Sequence, residues 1–303
     1  KINDTEIVAT DIDPEKQAKV ERHGFEWVES LDALLEADID GIDICTPVAT
    51  HNELIERALN AGKDVFCEKP LAESEADARE IQAMTAASSN SVMVGYLYRY
   101  HPAFQFARSV LEDNIIGDPY YAIFRVGGRG SASVWKHKSE KGGGVANEML
   151  VHMLDLINWY FDGIEKTRTL QNKTVLNERE INGETIEATA MDTALLELQT
   201  TCDVDVVCQS DLITPSYMNY IEIQGTNGSL FTTILDFFPT FVYCEEPRGL
   251  FDRGHNYREF DQTDLFEKEL AEFVATIANG EEPQWDSVED SVNIHQTLDE
   301  SLR

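Results

Sequence analysis

Two polar segments, each directly following a short apolar run, carry the residues whose chemistry is most suggestive. The run Ile42–Cys45 leads into Thr46-Pro47, with His51 just beyond, and the run Val65–Cys67 leads into Glu68-Lys69-Pro70. Short apolar runs of this kind predict buried strands of a parallel sheet. Because open α/β folds bind ligands at the carboxyl ends of their strands, the sequence predicts a cleft where these segments meet.

A third segment places an acid and an imidazole on one predicted helix. Three glycines at 142–144 precede Glu148, His152 and Asp155. Spacings of four and three residues put these side chains on one helix face. His152 is the natural general base, because the ordinary pKa of histidine is about 6.5, although a structural core histidine is the alternative. We expect Glu148 to orient a substrate or tune the imidazole, and Asp155 to support the helix and the histidine.

Strands and helices alternate through the first hundred residues. Strands are predicted at 6–10, 42–45, 65–67 and 92–95, and helices begin near Pro14, Ser30, His51 and Ser74. Ser30 and Ser74 are typical N-cap residues, and Asp77 completes what resembles a capping box after Ser74. This alternation indicates a doubly wound parallel sheet in an α/β domain.

After about residue 102 the pattern changes. Helices are predicted at 102–113, 145–160 and 262–278 and at the C-terminus, with strands at 119–126 and in several runs between 166 and 245. The turn at 225–228 separates two strand-like runs and indicates a hairpin. The predicted fold class is therefore α/β plus α+β. A doubly wound parallel-sheet dinucleotide-binding domain at 1–102 precedes a mostly antiparallel open-sheet domain at 103–303.

A dinucleotide-binding fold normally begins with a strand and a Gly-rich turn that holds the pyrophosphate. This chain begins at what resembles the second strand, and no G-x-G-x-x-G occurs later in a suitable context. Two explanations are open: the sequence lacks its first segment, or the fold has no ordinary phosphate site. We expect the former, because the rest of the fold needs its central strand.

The net charge of −32 over 303 residues is the most unusual bulk property of the chain. Such a surface repels nucleic acid. At molar salt the Debye length falls to about 3 Å, and the self-repulsion of the surface is largely screened. We therefore hypothesise a protein from a salt-accumulating cytoplasm, as in extreme halophiles, with an acidic mesophile protein as the alternative.

The cysteines and the hydropathy pattern bear on the compartment. The five cysteines form neither a metal-ligand spacing nor a disulfide framework, which indicates a reducing cytoplasm. No apolar run approaches the roughly 20 residues needed to span a bilayer, so no membrane partner is expected. Both features are typical of a globular cytoplasmic protein.

Four segments occur in a characteristic order and spacing: 39–47 with His51, 61–72 with Glu68-Lys69-Pro70, 95–99, and 142–155. They resemble motifs of the Gfo/Idh/MocA family, named for glucose–fructose oxidoreductase and inositol dehydrogenase. The similarity runs from about residue 6 to 163 and again at 221–230. Two departures are Leu97, where the family usually has Asn, and Glu148, where it usually has Asp. Because Glu is one methylene longer, substrate placement is expected to differ.

The resemblance implies a nicotinamide dinucleotide cofactor. We expect it to contact Asp11, Ile12, Cys45, Thr46, Pro47, His51, Glu68 and Lys69. A carboxylate such as Asp11 at a strand end accepts hydrogen bonds from a ribose 2′-hydroxyl and repels a 2′-phosphate, which favours NAD, with NADP possible. The next residue is Ile12 rather than an arginine that would hold a 2′-phosphate. A helix-capping role for Asp11 and a helix-starting role for His51 are the alternatives.

Lys69 is the leading catalytic candidate, followed by His152 and Glu148. Glu68 precedes it and proline follows, and the family's Lys-Pro bond is often cis, which would fix the direction of the side chain. Near an oxidised, positive nicotinamide ring an ammonium loses proton affinity, so it can bind a substrate hydroxyl and ease its deprotonation. A surface salt bridge between Lys69 and Glu68 is the alternative.

Aromatic residues and an arginine are candidates for the sugar end of the cleft. We assign Arg99, Trp135 and Tyr217 to substrate binding, with His137 and Tyr220 as further candidates, although packing or surface positions are the alternative for each. Glu148 and His152 also resemble a fragment of a metal site. Two ligands are too few, and no metal is expected.

The resemblance implies an NAD(P)-dependent oxidoreductase that transfers a hydride between a sugar, sugar derivative or cyclitol hydroxyl and nicotinamide. Lys69 and His152 would handle the hydroxyl proton, and Glu148 would position the substrate. An NAD-dependent glycoside hydrolase of the same fold and a non-catalytic nucleotide- or sugar-binding regulator are the competing hypotheses. One open face of the second sheet is expected to pair subunits into a homodimer or homotetramer.

Overall fold

The computed structural model of the protein describes residues 5–129, 133–280, 283 and 288–302. Short parallel strands alternate with helices in the first part: β1 Val8–Ala9, α1 Gln17–Arg22, β2 Glu26–Trp27, α2 Leu31–Glu36, β3 Gly41–Ile44, α3 His51–Asn60, β4 Asp64–Glu68, α4 Glu75–Ala87 and β5 Val92–Gly95. Strands β3, β4 and β5 form one parallel sheet in that order, and β1 pairs in parallel with β2. The predicted α/β alternation is confirmed, and the carboxyl ends of β3 and β4 are neighbours.

Polar side chains begin these helices where the sequence predicts. The Ser30 hydroxyl accepts a hydrogen bond from the Ala33 amide, and the Ser74 hydroxyl accepts one from the Asp77 amide. Each satisfies a backbone donor of a first turn that has no partner within the helix. Strand β2 was not predicted, because two residues are too few to show a period.

The second part is built on one large sheet. It contains α5 Pro102–Glu112, β6 Pro119–Gly127, α6 Val151–Phe161, β7 Ile164–Lys173, β8 Glu178–Ile181, β9 Glu184–Glu187, β10 Thr193–Thr200, β11 Asp205–Asp211, β12 Met218–Gly225, β13 Gly228–Thr232, β14 Thr240–Cys244, β15 Gly254–Arg258, α7 Leu265–Asn279 and α8 Val288–Leu302. Eight strands order as β15-β14-β13-β12-β6-β11-β10-β7, and β8 pairs with β9. Among the described strands of this sheet, β6 and β11 pair in parallel and the other neighbours pair antiparallel. The predicted mostly antiparallel sheet is confirmed.

One face of this sheet forms the main core. Apolar side chains alternate along its strands, so Phe124, Leu196, Ile223 and Leu230 are fully buried on the inner face. Helices α5 and α6 pack against the sheet, and nearly every residue of α6 is buried. Helix α6 is therefore held on all sides, which fixes the position of His152.

The two C-terminal helices return to the first part of the chain. Helix α7 packs on β4, where Phe273 contacts Phe66 with ring centroids 5.8 Å apart. Helix α8 packs on α4 and β5 as well as on α6, and His295 Nε2 accepts a hydrogen bond from the Ala72 amide. A division at residue 102 follows the order of the chain, whereas packing joins these helices to both parts. Within the described ranges, no helix is long and apolar enough to cross a membrane.

Candidate active site

Lys69 lies immediately after β4 and reaches the helix that carries His152. The Lys69–Pro70 peptide bond is cis, as expected. Lys69 Nζ donates hydrogen bonds to the main-chain carbonyl oxygens of Asn147, at 3.1 Å, and Glu148, at 3.3 Å. Burial lowers the pKa of Lys69, the nearby Lys136 lowers it further, and the Glu148 carboxylate acts in the opposite direction. The ammonium is thus held in place and is easier to deprotonate than an exposed lysine.

His152 lies one turn further along the same helix. It is 6% exposed, and its Nδ1 is buried without a hydrogen-bond partner among the described residues. The Tyr98 ring packs against the imidazole with centroids 4.8 Å apart. Burial lowers the pKa of His152 well below its usual range, and the charges of Lys69 and Lys136 lower it further. The imidazole is therefore neutral near pH 7, which is the form that accepts a proton.

The helix that carries Glu148 begins with an irregular turn. Ala146–Leu150 are π-helical and lead directly into α6, whereas the sequence predicted a continuous α-helix. Single π-turns occur frequently at functional sites. The preceding glycines are required by close packing, since a Cβ on Gly143 would lie 2.5 Å from the carbonyl oxygen of Lys136, and Gly144 has φ +119°.

Glu148 has a partner that the sequence did not identify. Lys136 Nζ donates to Glu148 Oε2 at 2.5 Å, and the two side chains are 28% and 11% exposed. Lys136 lies 12 residues earlier, on a single 3₁₀ turn at Val134–His137, where no periodicity marks it. The position of Lys136 between two candidate site residues, Trp135 and His137, is the one local signal that could have identified it.

A cavity of about 370 Å³ opens beside Glu148 and Lys136. Its lining residues are Gly128, Arg129, Lys136, His137, Glu148, Met149, Leu212, Pro215 and Tyr217. The Tyr217 and Tyr98 hydroxyls are 2.6 Å apart, which connects the cavity wall to the ring that packs on His152. The predicted positions Tyr217, Glu148 and His137 thus border one space.

Trp135 and Tyr220 lie elsewhere than the sequence suggested. In the part of the chain that the structure describes, neither lines the cavity. Trp135 is 42% exposed, and its ring lies 5.3 Å from Lys136 Nζ. Tyr220 stacks on Phe231 in the large sheet. Trp135 therefore borders the site through Lys136, and Tyr220 belongs to the sheet.

Arg99 is a correction to the predicted substrate-binding set. Its side chain is 1% exposed, and its guanidinium pairs with Asp155 at 2.5 Å and with Asp290 at 2.9 Å. A guanidinium that is buried and ion-paired in this way is not available to a substrate. Asp155 accordingly supports the helix through Arg99 rather than through direct contact with His152. Through Arg99, Asp155 on α6 is connected to Asp290 on α8.

His51 joins the turns after β3 and β4 through its imidazole, and its predicted contact with the cofactor stays a prediction. It is 1% exposed, with Nδ1 3.1 Å from the carbonyl oxygen of Pro70 and Nε2 2.9 Å from that of Thr46. Burial lowers the pKa of His51, and these carbonyl oxygens act against that change. His51 therefore positions the turns after β3 and β4 relative to each other.

The remaining cofactor candidates lie at carboxyl ends of parallel strands. Asp11 and Ile12 are exposed after β1, and Asp11 Oδ1 accepts a hydrogen bond from the Asp13 amide at 2.8 Å. After β3, the Thr46 hydroxyl is 2.7 Å from the Thr50 hydroxyl, and Pro47 begins the next helical turn. An exposed carboxylate after β1, a hydroxyl after β3 and an ammonium after β4 suit the ribose and nicotinamide portions of a dinucleotide.

Two further candidates at this edge have raised pKa values. Cys45 is an exposed residue whose Sγ donates to Asp43 Oδ1 at 3.1 Å, and partial desolvation of the sulfur together with the Asp43 carboxylate raises the pKa of the thiol. Burial also raises the pKa of Glu68, and Lys69 acts against that change. A thiol that stays protonated is a poor nucleophile, so Cys45 is better suited to line this edge of the sheet than to act as a redox group. Among the described residues, no group of three or more His, Cys, Asp or Glu is placed to hold a metal ion.

Comparison with known proteins identifies two matching domain types. A sequence model of an oxidoreductase family with an NAD-binding Rossmann fold, Gfo/Idh/MocA, matches residues 3–96, and the model of the C-terminal domain of the same family matches 104–231. Inositol 2-dehydrogenase of Rhizobium meliloti is 27% identical over 84% of this chain and 76% of its own length. Myo-inositol 2-dehydrogenase of Thermotoga maritima is 27% identical over 82% of this chain and 72% of its own length.

A solved structure has the same fold over nearly the whole chain. Levoglucosan dehydrogenase in complex with NADH superposes with a TM-score of 0.87 at 19% identity, over 98% of this chain and 87% of that one. At this identity the likeness concerns the fold. It covers both the parallel-sheet part and the large antiparallel sheet.

Proposed function

The chain belongs to the Gfo/Idh/MocA oxidoreductase family, and on this premise we propose that it oxidises a hydroxyl group of a sugar, sugar derivative or cyclitol with NAD as cofactor. The observation that carries the proposal is the contact of Lys69 Nζ with the main-chain carbonyls of Asn147 and Glu148, one turn before His152. We infer from this contact that a cation from the strand edge and a neutral imidazole from α6 act on the same substrate. The inositol dehydrogenases among the relatives favour a polyol substrate.

Each strand end has a place in this proposal. Asp11 would accept a hydrogen bond from the adenosine ribose, Thr46 and Pro47 would lie along the cofactor after β3, and Glu68 and Lys69 would border the nicotinamide end. Bound NAD supplies an acceptor for the hydride that leaves the carbinol carbon. The position of Asp11 favours NAD over NADP.

The protein's own groups would manage the proton of the hydroxyl. Lys69 donates a hydrogen bond to the substrate oxygen and stabilises the negative charge that develops as the proton leaves. His152, neutral because burial and two cations lower its pKa, accepts that proton. Glu148 orients the substrate through a hydroxyl, with Lys136 holding one carboxylate oxygen.

The test is a panel of free sugars and inositols with NAD in molar KCl, followed by absorbance of the reduced cofactor. Accumulation of NADH with at least one polyol supports the proposal. Hydrolysis of a glycoside without net NADH indicates a glycoside hydrolase, and binding without turnover indicates a regulator. Either of these outcomes contradicts the proposal.

The open face of the large sheet supports a further part of the proposal, which is pairing of two subunits. Tyr220, Phe231, Phe241 and Tyr257 form a continuous row of aromatic rings across β12 to β15, with successive centroids 5.7, 5.6 and 6.0 Å apart. Tyr257 is 57% exposed, and such an apolar surface commonly marks an interface. A dimeric or tetrameric mass at molar KCl is expected, and a monomeric mass contradicts this assignment.

A cytoplasmic location accords with the cysteines. All five are free, and Cys67, Cys208 and Cys244 are buried. Free thiols in this number are typical of reducing compartments.

A further inference from the structure

We propose that the substrate of this site carries a negatively charged group, a carboxylate or a phosphate, which Arg129 and Lys136 bind inside the cavity beside Glu148. This inference rests on the proposed oxidation of a polyol, and it narrows the class of polyol. The charges that line the cavity support this narrower class. Two cations, Arg129 and Lys136, face one carboxylate, Glu148, and the other lining residues are uncharged or histidine.

This local excess of positive charge is opposite to that of the molecule. The whole chain carries 56 acidic residues against 24 Lys and Arg. A neutral sugar needs no cations for recognition, because hydroxyls are bound by any donor or acceptor. An anionic substrate, in contrast, is repelled by the acidic surface and requires local cations to bind. The cavity supplies them.

The guanidinium of Arg129 has N–H donors available for a ligand. Its side chain is exposed at the cavity wall, and no hydrogen bond or ion pair joins its guanidinium to any residue within the described ranges. A guanidinium has five N–H donors in a planar fork that matches a carboxylate or phosphate. Arg129 is therefore suited to hold an anion by two parallel hydrogen bonds.

A second arginine, Arg179, lies behind the wall, and its charge is compensated by an ion pair with Asp192. Arg179 is 7% exposed, with its guanidinium donating to the Leu212 carbonyl at 2.7 Å and to Asp192 at 3.2 Å. Burial lowers the pKa of Arg179, Asp192 acts against that change, and Arg129 contributes a smaller lowering. Because Asp192 compensates the charge of Arg179, the guanidinium of Arg129 is the one available to an anion.

Lys136 links the anion site to the reaction site. Its Nζ donates to Glu148 Oε2 at 2.5 Å and retains two further N–H donors. Its charge also lowers the pKa of both Lys69 and His152. Lys136 and Glu148 form an ion pair, so their two charges compensate each other within the cavity. Arg129 remains as the uncompensated charge.

The size of the cavity restricts the anion further. Ligand pockets usually measure about 300 to 1,000 Å³, and this one, at about 370 Å³, is near the lower limit. A single sugar ring with an acid group fits that size, as in a sugar acid or a sugar phosphate.

The experiment compares neutral sugars with their anionic counterparts under one condition. Initial rates of NADH formation in molar KCl are measured for D-glucose, D-glucuronate and D-glucose 6-phosphate, and for D-galactose, D-galacturonate and D-galactose 1-phosphate. We expect kcat/KM for at least one anionic member to exceed that of its neutral partner by roughly tenfold or more. The uronates and the phosphates distinguish the two sources of charge.

Arg129→Gln tests whether this residue provides the preference. The ratio of kcat/KM for the anionic and neutral sugars should fall by about tenfold or more in this variant. The matched control is Arg168→Gln, which removes the same charge from an exposed ion pair with Glu197 on β7 and should leave the ratio unchanged. A ratio that is equal in wild type and Arg129→Gln overturns the assignment.

Calorimetric binding of the same sugars to the NADH complex provides a readout independent of turnover. Tighter binding of an anionic member, weakened in Arg129→Gln, supports the inference even if no sugar in the panel is oxidised. Neutral members that bind as tightly as the anionic ones overturn it. Absence of NADH formation with every polyol contradicts the proposed oxidation instead, so the two failures are distinct.

Discussion

Lys69 Nζ donates a hydrogen bond to the carbonyl oxygen of Glu148, a residue 79 positions later in the chain. The bond joins the carboxyl end of β4 to the turn that precedes His152. Because the acceptor is main chain, the contact depends on the path of the π-helical turn rather than on the identity of the side chain. It leaves the Glu148 carboxylate to Lys136. The bond brings Lys69 to the turn that leads into the helix of His152, and we propose that the two side chains act in one site.

Replacing Lys69 by Ala should lower kcat by about 10²- to 10⁴-fold, because the substrate oxygen loses its cationic donor. NAD affinity, measured by calorimetry, should change little. Lys141→Ala is the control, since it removes an exposed lysine from the loop before the glycines. Near-normal turnover of the Lys69 variant, with its thermal melt unchanged, would refute the role.

The pH profile of kcat/KM should reflect the neutral form of His152. Its pKa in the folded protein lies well below 6.5, so the imidazole remains unprotonated as the pH falls through 6.5. We therefore expect the acid limb of the profile to lie clearly below pH 6.5, and to be set by protonation of the base.

Lys136→Met tests whether the charge of Lys136 helps to place the acid limb of the pH profile below pH 6.5. Removing this cation, and leaving the Glu148 carboxylate unpaired, should raise the pKa of His152 and move the acid limb to higher pH. A limb at or above pH 6.5 in the unaltered enzyme would show that His152 is not the titrating base. A limb that does not move in Lys136→Met would argue against its electrostatic influence.

The buried pair of Arg99 and Asp155 should matter for stability. Burial raises the pKa of Asp155 to about 6, while the Arg99 guanidinium favours its charged form. Arg99→Met leaves that carboxylate buried without its main partner and should cost about 3 to 5 kcal/mol of unfolding free energy. Urea unfolding in molar KCl measures the change.

An exposed pair provides the comparison for this loss. Arg168→Met breaks the ion pair with Glu197, whose side chains are 74% and 52% exposed, and should cost at most about 1 kcal/mol. Equal losses in Arg99→Met and Arg168→Met would contradict the structural role given to Arg99.

The charge of −32 predicts that stability depends strongly on salt. The Debye length shortens from about 10 Å at 0.1 M to about 3 Å at 1 M, so repulsion among surface carboxylates is screened. The melting temperature should rise markedly between 0.1 M and molar KCl. A melting temperature that stays constant over this range would end the halophile hypothesis.

Asp11 predicts that NAD is preferred over NADP. Its exposed carboxylate at the end of β1 repels a 2′-phosphate, and the adjacent Ile12 offers no compensating charge. Kinetics with both cofactors should give a higher kcat/KM with NAD, and Asp11→Ser should narrow the difference. A higher kcat/KM with NADP in the unaltered enzyme would reverse the assignment.

Local signals in the sequence were sufficient for most of the first part of the fold. Helix α3 spans His51–Asn60 as predicted, and the Ser30 and Ser74 caps form as expected. Each of these depends on neighbours within a few residues. The π-helical turn at Ala146–Leu150 escaped prediction because tertiary packing, not helix propensity, determines its path.

The sequence could not predict the ion pairs of the site, because their partners are distant along the chain or are brought together by packing. Arg99 pairs with Asp290, which is 191 residues away, and only the packing of α8 on α6 brings them together. Lys136 meets Glu148 because the glycines allow close approach of two main-chain segments. An arginine or lysine in a motif therefore predicts charge at a location, but its partner decides whether that charge serves structure or substrate.

The most direct measurement is a double-mutant cycle of Lys69→Ala and His152→Asn, with NADH formation from the best polyol as the signal. If both side chains act on one hydroxyl, the double variant should be about as slow as the slower single variant, since each loss disables the same step. If the two losses instead multiply, Lys69 and His152 act independently, and the shared site that this account rests on is wrong.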